Sequence, residues 1–347
     1  MGYSVKISKG MHVFSEPNYV QIEAHRGCTR RCDFCGIRFD DEPLAMPKEM
    51  YSKILSDLSS KVKRFSYSLH GEPMLNKNLP WFLNQARIKF PKSQLSIVSN
   101  GDVLTRKDKS LKLLLDLFES GLNIIQLDLY DNKSYDLMLD LLRSNKELLG
   151  KEEIHVKNYY TAEINMWSYH GPNNKIILIC DERKGFNSAN SATRCFHTWG
   201  GNFPIEKYKK YGVIKEEFPV LKQCTEPLRY VAISANGNYL LCCSEGGKVS
   251  DLGNVKDTDV LSFWKGKRMQ QYRFALKNKR RDIIPSCYMC TKRCFRVGLY
   301  PYWGQYEYSI KDLQSLFAEH THALSPEFEQ NLQRVNPDML ERINELS

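Results

Sequence analysis

The sequence has no hydrophobic run that approaches the roughly 18 apolar residues a membrane-spanning helix needs. Its first residues, MGYSVKISKGMHVF, lack the apolar core of a secretory signal peptide. We find no internal repeat and no low-complexity tract in its 347 residues. These absences argue against a membrane protein and a secreted protein. We therefore expect a cytoplasmic protein in a reducing compartment.

The composition is that of a folded chain. Hydrophobic residues make up 42% and aromatic residues 12%, whereas a disordered chain is poorer in both. Fifty Lys and Arg against 40 Asp and Glu give a formal net charge of +10. The length predicts two domains, or one large domain with an appendage.

Cysteine is the residue that stands out, because disulfides are rare in a reducing compartment. The eleven cysteines lie at positions 28, 32, 35, 180, 195, 224, 242, 243, 287, 290 and 294, with none from 36 to 179. Their number is odd and their spacing is uneven. One group near each end of the chain predicts two metal sites.

Strand-like and helix-like segments alternate as far as residue 180. The strand-like segments are 19–24, 62–69, 95–99, 124–129, 154–160 and 175–180, and the helix-like segments are 47–60, 79–90, 111–120 and 135–145. Such alternation predicts an α/β fold, in which crossover helices connect the strands of a parallel sheet.

The pattern changes after residue 180. A loop-rich segment leads to two short strand-like stretches, 230–234 and 239–243, which flank Asn236-Gly237 and predict a β-hairpin. A helix is predicted over 260–277, and the tail 309–347 has short amphipathic helical patterns.

Cys28, Cys32 and Cys35 form a CxxxCxxC loop directly after the first predicted strand. Loops at the carboxyl ends of parallel strands are where such folds place their sites. Three thiolates can hold three irons of a [4Fe–4S] cluster and leave the fourth iron open to an exogenous ligand. The alternative is a zinc loop, although zinc loops usually pair their cysteines as CxxC.

This loop resembles that of the radical S-adenosylmethionine (SAM) superfamily, in which it follows the first strand of a partial (β/α)6, TIM-like barrel. The resemblance implies that Cys28, Cys32 and Cys35 ligate the cluster and that SAM binds the open iron. Reduction of SAM would then give a 5′-deoxyadenosyl radical that takes a hydrogen atom from the substrate. The resemblance also places Phe34 near the adenine.

Two further segments resemble SAM-binding motifs of this superfamily. His70-Gly71-Glu72-Pro73 follows the second strand and is similar to the Gly-Gly-Glu motif that holds the SAM amino group, with His70 in place of the first glycine. Ser99-Asn100-Gly101 ends the third strand and is similar to the segment that contacts the ribose. Each segment could instead be a simple turn, because Gly, Pro and Asn-Gly mark turns.

The second cysteine group resembles the SPASM/twitch domains of radical SAM enzymes. The matching features are the Gly237-x4-Cys242 hairpin, Asp251–Asn254, Phe263-Trp264 and the CxxC at 287. Full SPASM domains carry seven or more cysteines, and only six remain from Cys224 onward, so one auxiliary [4Fe–4S] cluster is expected. Its ligands would be Cys224, Cys242, Cys287 and Cys290, with Cys294 as a substitute; the alternative is a structural zinc.

The resemblance divides the chain into a radical SAM core (1–200), an auxiliary cluster domain (201–300) and a helical tail (301–347). Residues 265–296, the basic stretch, carry eleven Lys and Arg against one acid, Asp282. This stretch could bind nucleic acid or an acidic electron donor such as a flavodoxin-like protein, or could be a solvated helix face. The aromatic residues at 300, 302, 303 and 306 could stack on bases or anchor the tail.

The resemblance therefore implies a radical SAM oxidoreductase that removes hydrogen from a small molecule, a sugar or a peptide, with the auxiliary cluster as electron acceptor. Asp128 and Glu163, near strand ends, are candidates for the proton acceptor. One alternative is radical SAM modification of a nucleotide, DNA or RNA. The other is a non-catalytic zinc or Fe–S binding protein.

Overall fold

The structure is a computed structural model, and it describes residues 16–32, 35, 42–105, 110–149, 151–159, 162–171, 175–181, 223–224, 226–246, 250, 252–277, 279–288 and 290. Its strands are β1 (Tyr19–Ile22), β2 (His25–Arg26), β3 (Leu44–Ala45), β4 (Arg64–Ser66), β5 (Gln94–Ser99), β6 (Ile124–Leu129), β7 (Lys151–Tyr159), β8 (Ala162–Gly171), β9 (Lys175–Asp181), β10 (Val231–Ile233) and β11 (Tyr239–Leu240). Its helices are α1 (Lys48–Asp57), α2 (Leu79–Lys89), α3 (Ser110–Glu119), α4 (Asn132–Ser144), α5 (Lys146–Leu149), α6 (Glu226–Arg229), α7 (Val260–Lys265), α8 (Lys267–Lys277) and α9 (Pro285–Tyr288).

Nine of these strands form one sheet in the order β11-β10-β1-β4-β5-β6-β9-β8-β7. The six strands from β10 to β9 in this order are mutually parallel. Helices α1, α2 and α3 connect β1, β4, β5 and β6, as crossovers in a parallel sheet must. The predicted α/β fold is confirmed, and within the described residues the strand order is open, with β11 and β7 at its ends.

The strand predicted at 154–160 forms, but it does not join the parallel alternation. It lies in β7, which pairs antiparallel with β8, and β8 pairs antiparallel with β9. Only two residues separate β7 from β8, and a parallel connection needs a crossover of a dozen residues or more. β8 has no counterpart among the strands predicted from the sequence.

The sixth parallel strand comes instead from the predicted hairpin. β10 pairs parallel with β1, with Val231 opposite Val20, and β11 pairs antiparallel with β10. The hairpin therefore covers the β1 edge, which would otherwise present unpaired backbone groups. The main sheet is thus continuous across the boundary predicted at residue 200.

The helix predicted over 260–277 is two helices separated by Gly266. The Asp259 side chain caps the first of them by accepting hydrogen bonds from the backbone N–H groups of Leu261 and Ser262, at 3.1 and 2.9 Å. Glycine has a low helix propensity, and Gly266 adopts an extended backbone conformation. The hydrophobic period alone does not reveal this break.

Alternation along β5 and β6 separates two faces of the sheet. Leu95, Ile97 and Leu127 are fully buried in the core that includes residues of α2 and α3, and each contributes about 1.5–3 kcal/mol on burial. The opposite face, called here the inner face, is partly exposed. It carries Gln94, Ser96, Val98, Ile124, Gln126 and Asp128.

No described helix is both long and apolar enough to cross a membrane. The predicted tail helices, the aromatic residues at 300–306, Cys195 and Cys294 lie outside the described residues.

Candidate active site and auxiliary cysteine site

The loop that carries Cys28, Cys32 and Cys35 follows β1 and β2. All three side chains are partly exposed, and the backbone N–H of Cys35 donates to the carbonyl of Cys32 at 3.0 Å. Burial and the neighbouring sulfurs of Cys35 and Cys28 raise the pKa of the Cys32 thiol to about 12. The sulfurs of Cys28 and Cys35 are therefore close enough to that of Cys32 to disfavour its charge, and a bound cation would be needed to keep Cys32 as a thiolate. Phe34 lies outside the described residues.

Asn100, at the end of β5, lies against this loop. Its Nδ2 donates to the Cys28 sulfur at 3.3 Å and to the Thr29 hydroxyl at 3.0 Å. The backbone N–H of Arg30 also donates to the Cys28 sulfur, at 3.4 Å. Asn100, which the resemblance places at the ribose, thus hydrogen-bonds a cysteine thiol in this structure.

An ion-pair network fixes the loop to the neighbouring strand ends. Thr29 donates to Asp102 Oδ2 at 2.7 Å, and Arg30 Nε donates to Asp102 Oδ1 at 2.9 Å. Arg30 Nη2 also contacts Asp131 Oδ2 at 2.6 Å, and Asp131 caps α4 by accepting from the Ser134 N–H. No sequence motif predicts this network. Its one local signal is Asp131 before a helical pattern, which is a typical N-cap.

Gly71 contacts the start of the cysteine loop so closely that no other residue fits. Its φ is +68°, and an added Cβ would lie 2.4 Å from the His25 carbonyl oxygen and 2.7 Å from the Gly27 carbonyl oxygen. The backbone N–H of Glu72 donates to the Gly27 carbonyl at 2.9 Å. The motif predicted at 70–73 thus packs against the backbone that leads into Cys28.

The Glu72 carboxylate links two loops. It is 1% exposed, and it accepts from the backbone N–H groups of Met74 at 3.1 Å and Asn100 at 2.9 Å. Burial raises its pKa, and these hydrogen bonds oppose that rise. A carboxylate has about four acceptor positions, so capacity remains for a ligand ammonium.

Two other predicted residues have structural contacts beside Glu72. Pro73 begins a 3₁₀ turn, Pro73–Leu75. The Ser99 hydroxyl accepts from the Gly101 N–H at 3.0 Å. Both therefore shape the loops that follow β4 and β5.

His70, the residue that departs from the Gly-Gly-Glu motif, connects the two cysteine regions. Its buried ring lies with Nε2 3.0 Å from the Cys243 carbonyl oxygen and Nδ1 3.7 Å from Glu23 Oε1. Glu23 also accepts from the Ala235 N–H of the hairpin turn, at 2.7 Å. The histidine thus makes a specific contact that a glycine would lack.

The auxiliary cysteine set, defined as Cys224, Cys242, Cys287 and Cys290, comes from three segments. Three of its side chains are buried and that of Cys242 is partly exposed. The Arg281 guanidinium donates to the carbonyls of Gln223 and Cys290, at 3.5 and 3.1 Å, and so connects two of the segments.

Glu245 lies in the third segment, which carries Cys242. Its backbone N–H donates to the Cys242 carbonyl at 3.2 Å, and its carboxylate accepts from the Leu241 N–H at 2.7 Å. Burial, the neighbouring Cys290 thiol and the Glu245 carboxylate raise the pKa of Cys287, and the Arg281 charge lowers it. The contacts of Arg281 and the proximity of Glu245 to Cys287 thus bring the three segments together.

The donor chemistry of both sites fits iron–sulfur clusters. Among the residues that the structure describes, no three His, Cys, Asp or Glu side chains converge to hold a single metal ion. A four-iron cluster takes each thiolate on a different iron, so its ligands surround it without meeting at one point.

Cys243 is not a member of the auxiliary cysteine set, and it contacts Tyr230. Its N–H donates to the Tyr230 hydroxyl oxygen at 3.1 Å. That oxygen lies 3.0 Å from the Cys243 sulfur and 2.7 Å from Glu226 Oε2, and its single hydrogen serves one of these two acceptors at a time. The Cys243 backbone and sulfur thus both lie against the Tyr230 hydroxyl.

The basic stretch is not one exposed face in the part that the structure describes. Arg273 and Arg281 are buried and donate to backbone carbonyls, and Arg280 pairs with Asp282 at 2.8 Å. Lys265, Lys267 and Lys279 are exposed. The exposed positive charge that could contact a nucleic acid is therefore smaller, among the described residues, than the sequence indicates.

The two candidate proton acceptors lie in different settings. Asp128 is on the inner face, where its Oδ1 accepts from Gln126 Nε2 at 2.8 Å. Glu163 belongs to β8, and its side chain lies outside the described residues.

Two parts of the chain match models of known protein families. A family model described as the radical SAM superfamily matches residues 22–146, and SPASM, an iron–sulfur cluster-binding domain, matches residues 224–291. The S-adenosyl-L-methionine-dependent 2-deoxy-scyllo-inosamine dehydrogenase of Niallia circulans is 31% identical over 276 residues, which are 78% of this chain and 92% of that protein.

Two solved structures show the same fold. The crystal structure of BtrN in complex with AdoMet and 2-DOIA matches with a TM-score of 0.58 at 20% identity, over 80% of this chain and 93% of that chain. BtrN in an open conformation matches with a TM-score of 0.51 at 18% identity, over 80% and 92% of the two chains.

Proposed function

The chain belongs to the radical SAM superfamily and carries a SPASM-type iron–sulfur domain, and from this premise we propose that it oxidises a hydroxyl group of a small polar molecule to a carbonyl. It is an oxidoreductase that uses SAM and [4Fe–4S] chemistry. The observation that carries the proposal is the 31% identity to a dehydrogenase over 92% of that enzyme, which extends across both cysteine regions.

Cys28, Cys32 and Cys35 would hold the SAM-binding cluster. When bound there, the cluster and SAM supply a 5′-deoxyadenosyl radical that removes a hydrogen atom from the carbon bearing the hydroxyl. The protein orients the loop through Asn100 and the Arg30 ion pairs. Gly71 allows the motif that follows β4 to approach the loop, and Glu72 would accept from the SAM amino group.

The auxiliary cysteine set would hold a second [4Fe–4S] cluster. After a hydrogen atom leaves the substrate carbon, one electron and one proton must also leave before a carbonyl forms. Four protein thiolates complete the coordination of a cluster, and such a closed site suits electron transfer rather than substrate binding. The hydrogen bond between His70 and the Cys243 carbonyl holds this region to the SAM motif.

The inner face would receive the substrate. It offers amide, hydroxyl and carboxylate groups beside the loops that carry the first cysteines. Asp128 would take the hydroxyl proton, with Gln126 fixing its orientation through the 2.8 Å hydrogen bond. Polar groups at such a face select a hydroxylated substrate, because each buried polar group needs a partner.

The exposed Lys265, Lys267 and Lys279 support docking of an acidic electron donor of the flavodoxin type. They would act mainly on the rate of association, which would fall with rising salt.

The test is anaerobic turnover with reconstituted protein, dithionite and SAM. The substrates are 2-deoxy-scyllo-inosamine, other aminocyclitols and inositols, a peptide library and short RNA. We expect a cyclitol to give 5′-deoxyadenosine and a carbonyl product in equal amounts. If only peptide or RNA stimulates 5′-deoxyadenosine formation, the small-molecule proposal is wrong.

A further inference from the structure

Arg281 is an ionisable side chain that lies inside the protein rather than on the basic stretch's exposed surface. It is 1% exposed, and it is among the largest fully buried side chains in the described residues. A guanidinium keeps its charge at any pH that a protein experiences. Burying that charge is costly unless hydrogen bonds and negative charge compensate it.

Its hydrogen bonds reach the two segments that carry three members of the auxiliary cysteine set. Nη1 donates to the carbonyl of Cys290 at 3.1 Å, and Nη2 lies 3.5 Å from the carbonyl of Gln223, which precedes Cys224. Arg281 itself lies in a 3₁₀ turn, Arg281–Ile283, which ends just before the helix that carries Cys287. A single side chain thus connects backbone that is far apart in sequence.

Its charge also lies beside the proposed ligands. The guanidinium donates to the backbone carbonyl of Cys290 itself at 3.1 Å, and the turn that carries Arg281 ends just before the helix of Cys287. Reduction of a cluster adds negative charge, and a nearby cation in a low-dielectric interior stabilises the reduced form.

We propose that Arg281 is a positioning residue of the auxiliary site, which holds the segments of Cys224 and Cys290 together and raises the reduction potential of the cluster between them. This inference rests on the proposed function, because it requires an auxiliary cluster on the four cysteines. Arg281 would then help the site accept an electron from the substrate.

Arg273 provides a matched control. It is also a buried arginine, and it donates to the carbonyls of Pro227 and Trp264 at 3.0 and 2.7 Å while stacking over the Trp264 ring. None of these contacts involves a cysteine or a residue next to one. Loss of Arg273 therefore measures the general cost of removing a buried arginine from this region.

The experiment uses the full chain with Cys28→Ala, Cys32→Ala and Cys35→Ala, so that only the auxiliary cluster remains. Arg281→Gln, Arg281→Lys and Arg273→Gln are added separately. Iron and sulfide per chain, the spectrum of the reduced cluster by electron paramagnetic resonance, and its midpoint potential are measured. Circular dichroism melting reports whether each variant folds.

We expect Arg281→Gln to lower the equilibrium constant for reduction of the auxiliary cluster about tenfold. For a one-electron couple, this makes the midpoint potential about 59 mV more negative. Arg281→Lys keeps the charge and should stay within about threefold of the parent, although it loses part of the fork that spans two carbonyls. Arg273→Gln should leave the potential unchanged. If Arg281→Gln does not fold, the iron content and the midpoint potential of Arg281→Lys are compared with those of the parent instead.

Two failures are distinguishable. A parent protein with Arg281 intact that holds no cluster would overturn the proposed auxiliary site. A cluster whose potential is the same in Arg281→Gln as in the parent, or that shifts equally in Arg273→Gln, would overturn the inference about Arg281. If Arg281→Gln does not fold, Arg281→Lys provides the second test. A folded Arg281→Lys chain whose equilibrium constant for reduction differs about tenfold from that of the parent would also overturn the role of the charge.

Discussion

The Nδ2 of Asn100 lies 3.3 Å from the sulfur of Cys28 and donates a hydrogen bond to it. The two residues are 72 positions apart: Asn100 directly follows β5, and Cys28 lies in the loop after β1 and β2. In the sheet, β1 and β5 are separated only by β4. Hydrogen bonds to cysteine sulfurs are one means by which proteins set the potential of iron–sulfur clusters. This contact therefore connects the fold of the core directly to the chemistry proposed for the loop.

Replacing Asn100 with Ala should reduce SAM cleavage about tenfold, because loss of a hydrogen bond to a metal ligand typically costs 10–100-fold in activity. The cluster potential should become more negative in the same variant. The rate of 5′-deoxyadenosine formation and a redox titration test this. Asn145→Ala is the control, since Asn145 donates only to a helix carbonyl, that of Leu141. An unchanged potential in Asn100→Ala would contradict the prediction.

Gly71→Ala should destabilise the protein more than Gly253→Ala does. Both glycines have positive φ, at +68° and +89°, but an added Cβ has nothing within 4 Å at Gly253. Gly253→Ala should therefore cost only the left-handed strain of about 1–2 kcal/mol. At Gly71 the clash with two carbonyl oxygens should add about 1–3 kcal/mol. Chemical denaturation gives both values, and equal costs would disprove the clash.

Gly71→Ala should also weaken SAM binding, because the Cβ would push the motif away from the loop that begins at Gly27. Isothermal titration of SAM into the reconstituted protein measures this loss. Gly253→Ala, which leaves that approach untouched, should bind SAM as the wild type does.

Asp102→Asn should weaken the ion-pair network of the cysteine loop. The amide would place a donor against Arg30 or Thr29, and we expect a loss of about 1–3 kcal/mol in the free energy of unfolding. Asp116→Asn removes an exposed pair with Lys112 and should cost no more than about 0.5 kcal/mol. Faster iron loss under a chelator should accompany the first variant only. Equal iron retention in the two variants would contradict a role in holding the loop.

Cys287→Ala and Cys243→Ala should separate the auxiliary ligands from their neighbour. The reconstituted wild type should contain about eight irons per chain, four for each cluster. Cys287→Ala should retain about four, since a closed site loses a ligand, whereas Cys243→Ala should keep all of them. Iron and sulfide analysis decides this. A loss of four irons in Cys243→Ala would place that thiol among the ligands after all.

Most of the local structure is predictable from the sequence, and most of the long-range structure is not. β1, β5, β6 and the helices between them follow from hydrophobic periodicity, and the CxxxCxxC loop carries its own spacing. The contact between Arg30 and Asp131 joins residues 101 positions apart, and that between His70 and Cys243 joins residues 173 apart. No local pattern specifies such pairs.

Strand order explains the remaining differences. The composition of Val231–Ile233 predicts a strand, but nothing in it indicates that β10 pairs with β1 rather than only with β11. The connection between β7 and β8 has no turn dipeptide, so the sequence does not mark this hairpin. The first difference is a long-range pairing, and the second is a local pairing without a local signal.

The most direct test compares three forms of the chain in anaerobic turnover with SAM, dithionite and 2-deoxy-scyllo-inosamine or whichever cyclitol proves to be the substrate. The wild type should produce 5′-deoxyadenosine and carbonyl product in equal amounts. The variant with Cys28, Cys32 and Cys35 replaced by Ala should produce neither. Cys287→Ala should cleave SAM but yield no carbonyl product. SAM cleavage by the triple variant, or carbonyl formation by Cys287→Ala at the wild-type rate, would contradict the account.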